Sequence, residues 1–379
     1  MEILLVAGDF VKTGGMDVAN HALASYLADR GDVVHLAAFR AADDLLARSN
    51  VIFHRAPKPL DSYSLGNQVL RRSARRHAAR LAARGARVLV NGGNCDWGDV
   101  NWVIHLNAID VPPPRPRLAG RLKSWIDYRI HIAEEKTIIP KARVIFVSCE
   151  RTRVELLKRM SSLRPEDVNV VYLGVDPQAF RPASPDEREV LRQRFGWAPG
   201  RPKILFVGAL GNHRKGFDIL FEAWRRLCRS SSWDADLVVA GDGAELPYWR
   251  AQTKSAGLTE RIEFLGTRRD VADLFRASEG HVLPSRYEGY SMVTQEALSC
   301  GVPAIITRAS GIAERYPEEL QDLVLPDPED VSELVARLTR WRERIGRSWP
   351  ELDAFAAEIR AFDWMRMSES MAKVIARES

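Results

Sequence analysis

The stretch "SRYEGYSMVTQEALSCGVPAI", residues Ser285–Ile305, carries Glu288 and Glu296 on either side of a Gly-Tyr-Ser turn. A short β-branched run, Gly280–Leu283, precedes it and stops at Pro284. The pattern predicts a helix that starts near Ser291, runs to about Ser299 and is stopped by Gly301, with Pro303 beyond. The start of such a helix offers unpaired amides and a partial positive charge, a natural seat for a phosphate. Gly289 lets the backbone approach closely, and Gly289, Tyr290, Ser291 and Met292 become candidate donor-binding residues. A carboxylate accepts two hydrogen bonds at once, which suits vicinal sugar hydroxyls. One glutamate on a ribose and the other on a hexose would span a sugar nucleotide whose diphosphate lies between them. Two surface glutamates beside a helix start would also fit such a pair. The flanking Pro-Ser and Ala-Leu-x-x-Gly-x-Pro argue against that reading.

Working outward, short β-branched runs alternate with helical patterns along the chain. Candidate strands in the first half are Ile3–Ala7, Val33–Ala38, Val88–Asn91, Trp102–Leu106, Arg143–Ser148 and Asn169–Tyr172. Between them lie periodic stretches such as Asp17–Asp29, where Val18, Ala22, Leu23, Tyr26 and Leu27 share an apolar face. The segment "GVDPQAFRPASPDEREV" breaks the composition and reads as a linker. The alternation then restarts with Lys203–Val207, Asp236–Ala240, Arg261–Leu265, Gly280–Leu283, Ala304–Thr307 and Leu323–Leu325. This argues for an α/β fold of two Rossmann-like, doubly wound domains facing a cleft. The expected boundaries are 1–180 and 181–361. A final helix over 362–379 either caps the second domain or crosses back to the first.

The bulk composition agrees. A chain of 379 residues exceeds one ordinary core, and 46% hydrophobic with 28% charged residues describes a normal globular protein. No apolar run approaches the roughly 18 residues a spanning helix needs. "MEILLVAGDF" reads as a strand, not a signal peptide. Cys95, Cys149, Cys228 and Cys300 are scattered and read as reduced thiols of a cytoplasmic protein. The net charge of +5 is modest, but Arg71, Arg72, Arg75, Arg76, Arg80, Arg84 and Arg87 share one stretch without an acid. Leu70, Ala74, Ala78 and Leu81 recur there at helical spacing, so an amphipathic surface helix is expected. A second basic stretch joins Arg115, Arg117, Arg121 and Lys123 to Trp125 and Tyr128. An anionic membrane surface or a phosphorylated substrate fits these arginines, and so does a merely solvated face. No nucleic-acid motif is present, so nucleic acid is not an expected partner.

In open α/β sheets the chemistry lies in loops that follow strands. Arg214 and Lys215, with Gly216 next, follow strand Lys203–Val207, and two fixed cations there suit a diphosphate leaving group. A solvated basic turn is the plainer reading. Gly14 and Gly15 follow the first strand and open a helix, although their spacing is not that of a dinucleotide fingerprint. His105 ends the run "WVIHL", where its ring would contact a donor hexose or its carbonyl would stabilise positive charge on the anomeric carbon. A structural hydrogen bond is the alternative. Asn107 and Asp110 are acceptor-side candidates. Gly241, Gly243, Gly266, Thr267 and Arg268 are placed to wrap the base, with Arg268 stacking on it. The strings "DAD" and "GDG" fall at a strand start and in a tight turn, so neither reads as a metal site.

"LPSRYEGYSMVTQEALSCGVPAI" resembles the signature of retaining glycosyltransferases of the GT-B fold, family-four type. "GGMDVANHALASYLADRGDVVHL", "VIFVSCERTRVELL", "VVYLGVDPQAF", "ILFVGALGNHRKGFDILFEAW", "VVAGDGAEL" and "FLGTRRDVADLFRASEGHVLPS" are similar to other segments of that family, in order, over nearly the whole chain. The resemblance implies a retaining, metal-independent hexosyltransferase without a cofactor. It would take a nucleotide diphosphate sugar, UDP-sugar before GDP-mannose, to a saccharide, glycolipid or lipopolysaccharide-type acceptor, in the cytoplasm or on the inner membrane face. It implies that Gly14 and Gly15 close over the donor phosphate, that His105 and Glu288 face the sugar, and that Lys215 neutralises the diphosphate. The family usually places an arginine where this chain has Ala209, and Arg214 is the candidate replacement. A sugar-nucleotide epimerase of the same fold, a transferase acting on a soluble natural product and a non-enzymatic sugar-binding protein are the alternatives.

Overall fold

The computed structural model describes residues 1–59, 63–107, 119–211 and 213–377. The chain divides into two compact units, Met1–Gly174 with Phe362–Ser379, and Val175–Ala361. The division thus falls at 174/175, against the expected 180/181.

In the first unit, besides a small two-stranded pairing of Asp9–Phe10 with Arg40–Ala41, the strands are β1 Glu2–Val6, β2 Val33–Ala38, β3 Val51–Arg55, β4 Arg87–Asn91, β5 Val100–Val103, β6 Val144–Val147 and β7 Val168–Val170. They form one parallel sheet in the order β3-β2-β1-β4-β5-β6-β7. Ile3, Leu4, Val6, Val88 and Val90 are fully buried, as a parallel sheet covered on both faces requires. β3 was not anticipated. It is an edge strand that mixes exposed and half-buried positions, so it lacks the continuous apolar run of its neighbours. β5 starts two residues earlier than expected and ends at Val103. Asn101 disguised it, because its side chain is buried and donates to the Gly92 carbonyl at 3.0 Å.

The helix Tyr63–Ala82 lays Leu70, Ala74, Ala78 and Leu81 into the core against β1 and β4, while Arg72, Arg75, Arg76, Arg80 and Arg84 are exposed. Each leucine buried this way contributes about 2 kcal/mol, so the apolar stripe, not the arginine face, holds the helix down. Arg71 turns inward to Glu134 at 2.8 Å and the Gly93 carbonyl at 2.8 Å. Of the second basic stretch, Arg115 and Arg117 lie outside the described residues. The last helix, Trp364–Arg377, packs on the helix Gly15–Asp29 and buries Met367, Met371 and Ile375 completely. Arg87, buried and paired with Asp99, donates to the Ile375 carbonyl at 2.7 Å. Among the described residues, no helix is long and apolar enough to cross a membrane. All four cysteines are free, and burial pushes the Cys95 and Cys300 thiols up to about 11 and about 12.

The second unit has strands β8 Lys203–Val207, β9 Asp236–Ala240, β10 Ile262–Gly266, β11 Gly280–Leu283, β12 Ala304–Thr307 and β13 Val324–Leu325. Their order is β10-β9-β8-β11-β12-β13, all parallel. The order reverses between β8 and β11, and a ligand crevice belongs beyond the carboxyl ends of those two strands. The loops after them contain Arg214 with Lys215, and Ser285 to Ser291.

Candidate active site

At the switch point of the second unit, β8 leads to the short turn His213–Lys215 and the helix Phe217–Leu227. β11 leads to the loop 284–291 and the helix Met292–Ser299. Gly216 joins turn to helix at φ +68°, and a Cβ there would lie 1.9 Å from the Pro284 carbonyl oxygen. Only glycine allows this crossing of the two loops.

The crossing brings three predicted residues onto one carboxylate oxygen. Glu288 Oε1 lies 2.5 Å from Lys215 Nζ and 3.1 Å from Arg214 Nη1, and it accepts from Ser285 Oγ at 3.1 Å. Glu288 is only 6% exposed, and a buried charge is tolerated only when paired. Burial pushes its carboxyl up, but the Lys215 ammonium and the Arg214 guanidinium outweigh that and hold it below the usual range. It is therefore ionised at neutral pH. The loop itself is clamped from below. Glu288 N–H donates to the Ala309 carbonyl at 3.1 Å, Gly311 N–H to the Glu288 carbonyl at 3.2 Å, and Thr307 Oγ1 to the Ser285 carbonyl at 2.5 Å.

Ser291 caps the following helix at φ +83°, the single non-glycine residue with positive φ among those described. Such a conformation costs on the order of 1–3 kcal/mol and is retained where surroundings enforce it. Ser291 Oγ shares a hydrogen bond with Thr294 Oγ1 at 2.9 Å, which leaves the first amides of the helix without an intrahelical acceptor. Met292 is half-buried. Glu296 is half-buried on the same helix, and no hydrogen bond or ion pair satisfies its carboxyl among the described residues. Burial pushes that carboxyl up to about 8. The two glutamates thus differ in kind: Glu288 is paired with two cations that favour its charged form, whereas burial favours the protonated form of Glu296.

The base-side residues lie next door. A Cβ on Gly241 would meet the Gly208 carbonyl oxygen at 1.9 Å, so the loop after β9 touches the loop after β8. Gly241 N–H donates to the Gly266 carbonyl at 2.8 Å. Thr267 is exposed. Arg268 is fixed by Asp270, with contacts of 2.8 and 2.6 Å, and its guanidinium lies 5.9 Å over the Phe195 ring. Its stacking partner within the chain is therefore Phe195. Tyr290 is buried, and its hydroxyl accepts from Arg315 at 3.0 Å, so its phenol anchors the loop.

The remaining candidates belong to the first unit. Gly14 turns at φ +86° into the helix Gly15–Asp29. His105 lies two residues beyond β5, in the loop after the strand instead of at its end. Asn107 donates through both its backbone N–H and Nδ2 to Glu135 Oε1, each at 2.7 Å. Glu135 is buried, so Asn107 serves local structure. Asp110 lies outside the described residues. Sequence reasoning passed over two residues. Asp17, in the first turn after Gly14 and Gly15, is pushed up to about 6 by burial and then by Asp9. An acid in the first turn after a Gly-Gly pair was the available signal. The other is Arg286, inside the signature loop.

Comparison with known proteins agrees with the fold. Residues 201–342 match the family described as "Glycosyl transferases group 1". Mannosylfructose-phosphate synthase of Agrobacterium fabrum is 27% identical over 254 residues, 62% of this chain and 55% of its own length. The lipopolysaccharide core biosynthesis mannosyltransferase LpsB of Rhizobium meliloti is 28% identical over 196 residues, 46% of this chain and 54% of its own. The chain spans about half the length of the curated relatives it matches. Among solved structures, WaaG, a glycosyltransferase involved in lipopolysaccharide biosynthesis, superposes with a TM-score of 0.72 at 21% identity, covering 99% of both chains. Anabaena HepE in complex with UDP superposes with a TM-score of 0.68 at 19% identity, covering 100% of both. The chain has the GT-B fold, two Rossmann-like domains in sequence. Within the second unit, residues 201–342 carry the match to the glycosyl transferases group 1 family.

Proposed function

We propose that this protein transfers a hexose from a nucleotide diphosphate sugar, UDP-sugar before GDP-mannose, to a hydroxyl of a saccharide, glycolipid or lipopolysaccharide-type acceptor, with retention of configuration. The observation that carries the reading is the convergence of Lys215 and Arg214 on Glu288 at the switch point of the second sheet. Two fixed cations beside an unpaired helix start suit a diphosphate that gains charge as the glycosidic bond breaks. They supply this charge without a divalent metal. Glu288 and Glu296 take hydroxyls of the hexose and ribose. The first unit binds the acceptor. The departing phosphate takes the acceptor proton as the new bond forms on the same face. HepE was solved with UDP-glucose, and LpsB is named a mannosyltransferase, which supports a nucleotide-sugar donor carrying a hexose.

Thermal unfolding with UDP-, GDP-, ADP- and dTDP-sugars, first without metal and then with magnesium, tests the donor. A ligand at a hundred times its Kd adds about 2.7 kcal/mol, a readily visible shift. The expected result is a rise with one base and one hexose, unchanged by magnesium. Silence across the panel, or a rise only with magnesium, sinks the donor reading or its metal independence respectively.

The exposed arginines of helix Tyr63–Ala82 support a peripheral site on an anionic membrane surface. Co-sedimentation with vesicles containing phosphatidylglycerol should hold the protein at low salt and release it at high salt, because such attraction is screened. Equal binding to neutral vesicles, or none to either, removes the membrane from the reading.

A further inference from the structure

Arg286 stands two residues before Glu288, and its side chain is only 15% exposed. Its guanidinium N–H groups have acceptors from three separate elements. Nε donates to Glu329 Oε1 at 2.5 Å and Nη2 to Glu329 Oε2 at 3.0 Å. Nη1 and Nη2 donate to the two Asp218 oxygens at 2.8 Å each, and Nη1 also to the His213 carbonyl at 2.5 Å. All five donors of the fork are used. The backbone N–H of Arg286 donates to the Arg214 carbonyl at 2.8 Å. Asp218 lies in the first turn of the helix after Gly216, and burial of its carboxyl is outweighed by Arg286, which holds it below the usual range.

From this we infer that Arg286 is the positioning residue of the cation clamp: it fixes the His213–Lys215 turn to the signature loop, so that Lys215 and Arg214 stand ready for the diphosphate. The inference rests on the donor reading above. Without donor, both cations are held by Glu288; with donor, they must turn to phosphate while their backbone stays still. Arg286 grips that backbone at His213 and Arg214 and leaves the side chains of Arg214 and Lys215 to exchange partners. Binding then costs less ordering of the turn, the usual gain from preorganisation. A lysine carries three donors on one atom and cannot bridge Glu329, Asp218 and a carbonyl at once.

Calorimetric binding of UDP against uridine, and GDP against guanosine, to the full chain separates the phosphate clamp from the base pocket. Arg286→Gln is expected to lower the preference for diphosphate over nucleoside by about tenfold, roughly 1.4 kcal/mol, with nucleoside affinity unchanged. Arg286→Lys should fall between wild type and Arg286→Gln, and Asp218→Asn should shift the preference the same way. These two variants carry the test if Arg286→Gln fails to fold. Parallel weakening of nucleoside and diphosphate means a merely structural role and overturns the inference. So does an unchanged preference in Arg286→Gln where Lys215→Ala loses it. A preference that Lys215→Ala keeps, or that wild type lacks for both bases, overturns the donor reading itself and the inference with it.

Discussion

Lys215→Ala is expected to lower turnover by about 10²–10³-fold, the loss that follows removal of one preorganised group facing developing charge. The Lys215 side chain is 13% exposed, so its charge acts in a poorly solvated site where electrostatics weigh more than in water. Alanine also strips Glu288 of the stronger of the two cations that hold its carboxyl down, leaving Arg214 and Ser285. The Glu288 pKa should therefore rise, and the acid limb of the pH–rate profile should move to higher pH. Some folding stability goes too, since a buried carboxylate keeps only part of its compensation. Steady-state turnover and donor KM across pH, measured below the variant's unfolding temperature, check this. Wild-type turnover in Lys215→Ala, or an unmoved acid limb, removes Lys215 from the site.

Much of the second unit could be read from sequence because buried parallel strands leave unbroken β-branched runs bounded by turn residues. Lys203–Val207, Asp236–Ala240 and Gly280–Leu283 appear at the expected positions for that reason. β3 escaped because an edge strand need bury only part of each face, and Ile52 stands 42% exposed within it. Glu288 and Lys215 were legible through their local setting, a helix start and a basic turn after strands. What sequence could not give was the single oxygen on which they meet, which depends on Gly216 passing under Pro284. Arg286 was illegible for a related reason. Its partners Asp218 and Glu329 lie 68 and 43 positions away, and nothing local announces them. Arg268 shows a local pairing of the opposite kind. A cation expected to stack on a base is held two residues on by Asp270, a local pairing that the string "TRRD" already contained.

Glu296→Gln should make the donor-free protein more stable at high pH while weakening the donor complex. The Glu296 carboxyl sits near about 8 in the fold against 4.5 as its ordinary value, with burial as the cause. A folded pKa raised in this way gives stability that is complete below about 4.5 and is lost as pH rises toward 8, because the unfolded chain releases the proton first. Across that window this residue should remove about 1.4 kcal/mol of stability per pH unit, a slope that other titrating groups overlay. Glutamine has nearly the same shape and no proton to lose, so the difference in unfolding free energy between variant and wild type should widen steadily from pH 5 to pH 8. Donor binding should move in the other direction. Donor hydroxyls would favour loss of the Glu296 proton, because the carboxylate accepts from two ribose hydroxyls whereas an amide offers one acceptor oxygen, and losing a hydrogen bond to that charged form costs about 1.5–3 kcal/mol. Denaturant unfolding across this range, paired with nucleotide affinity, reads both arms. A variant whose stability parallels wild type at every pH would mean the carboxyl is solvated and ordinary. Unchanged nucleotide affinity would instead leave Glu296 a buried acid with no part in holding the donor.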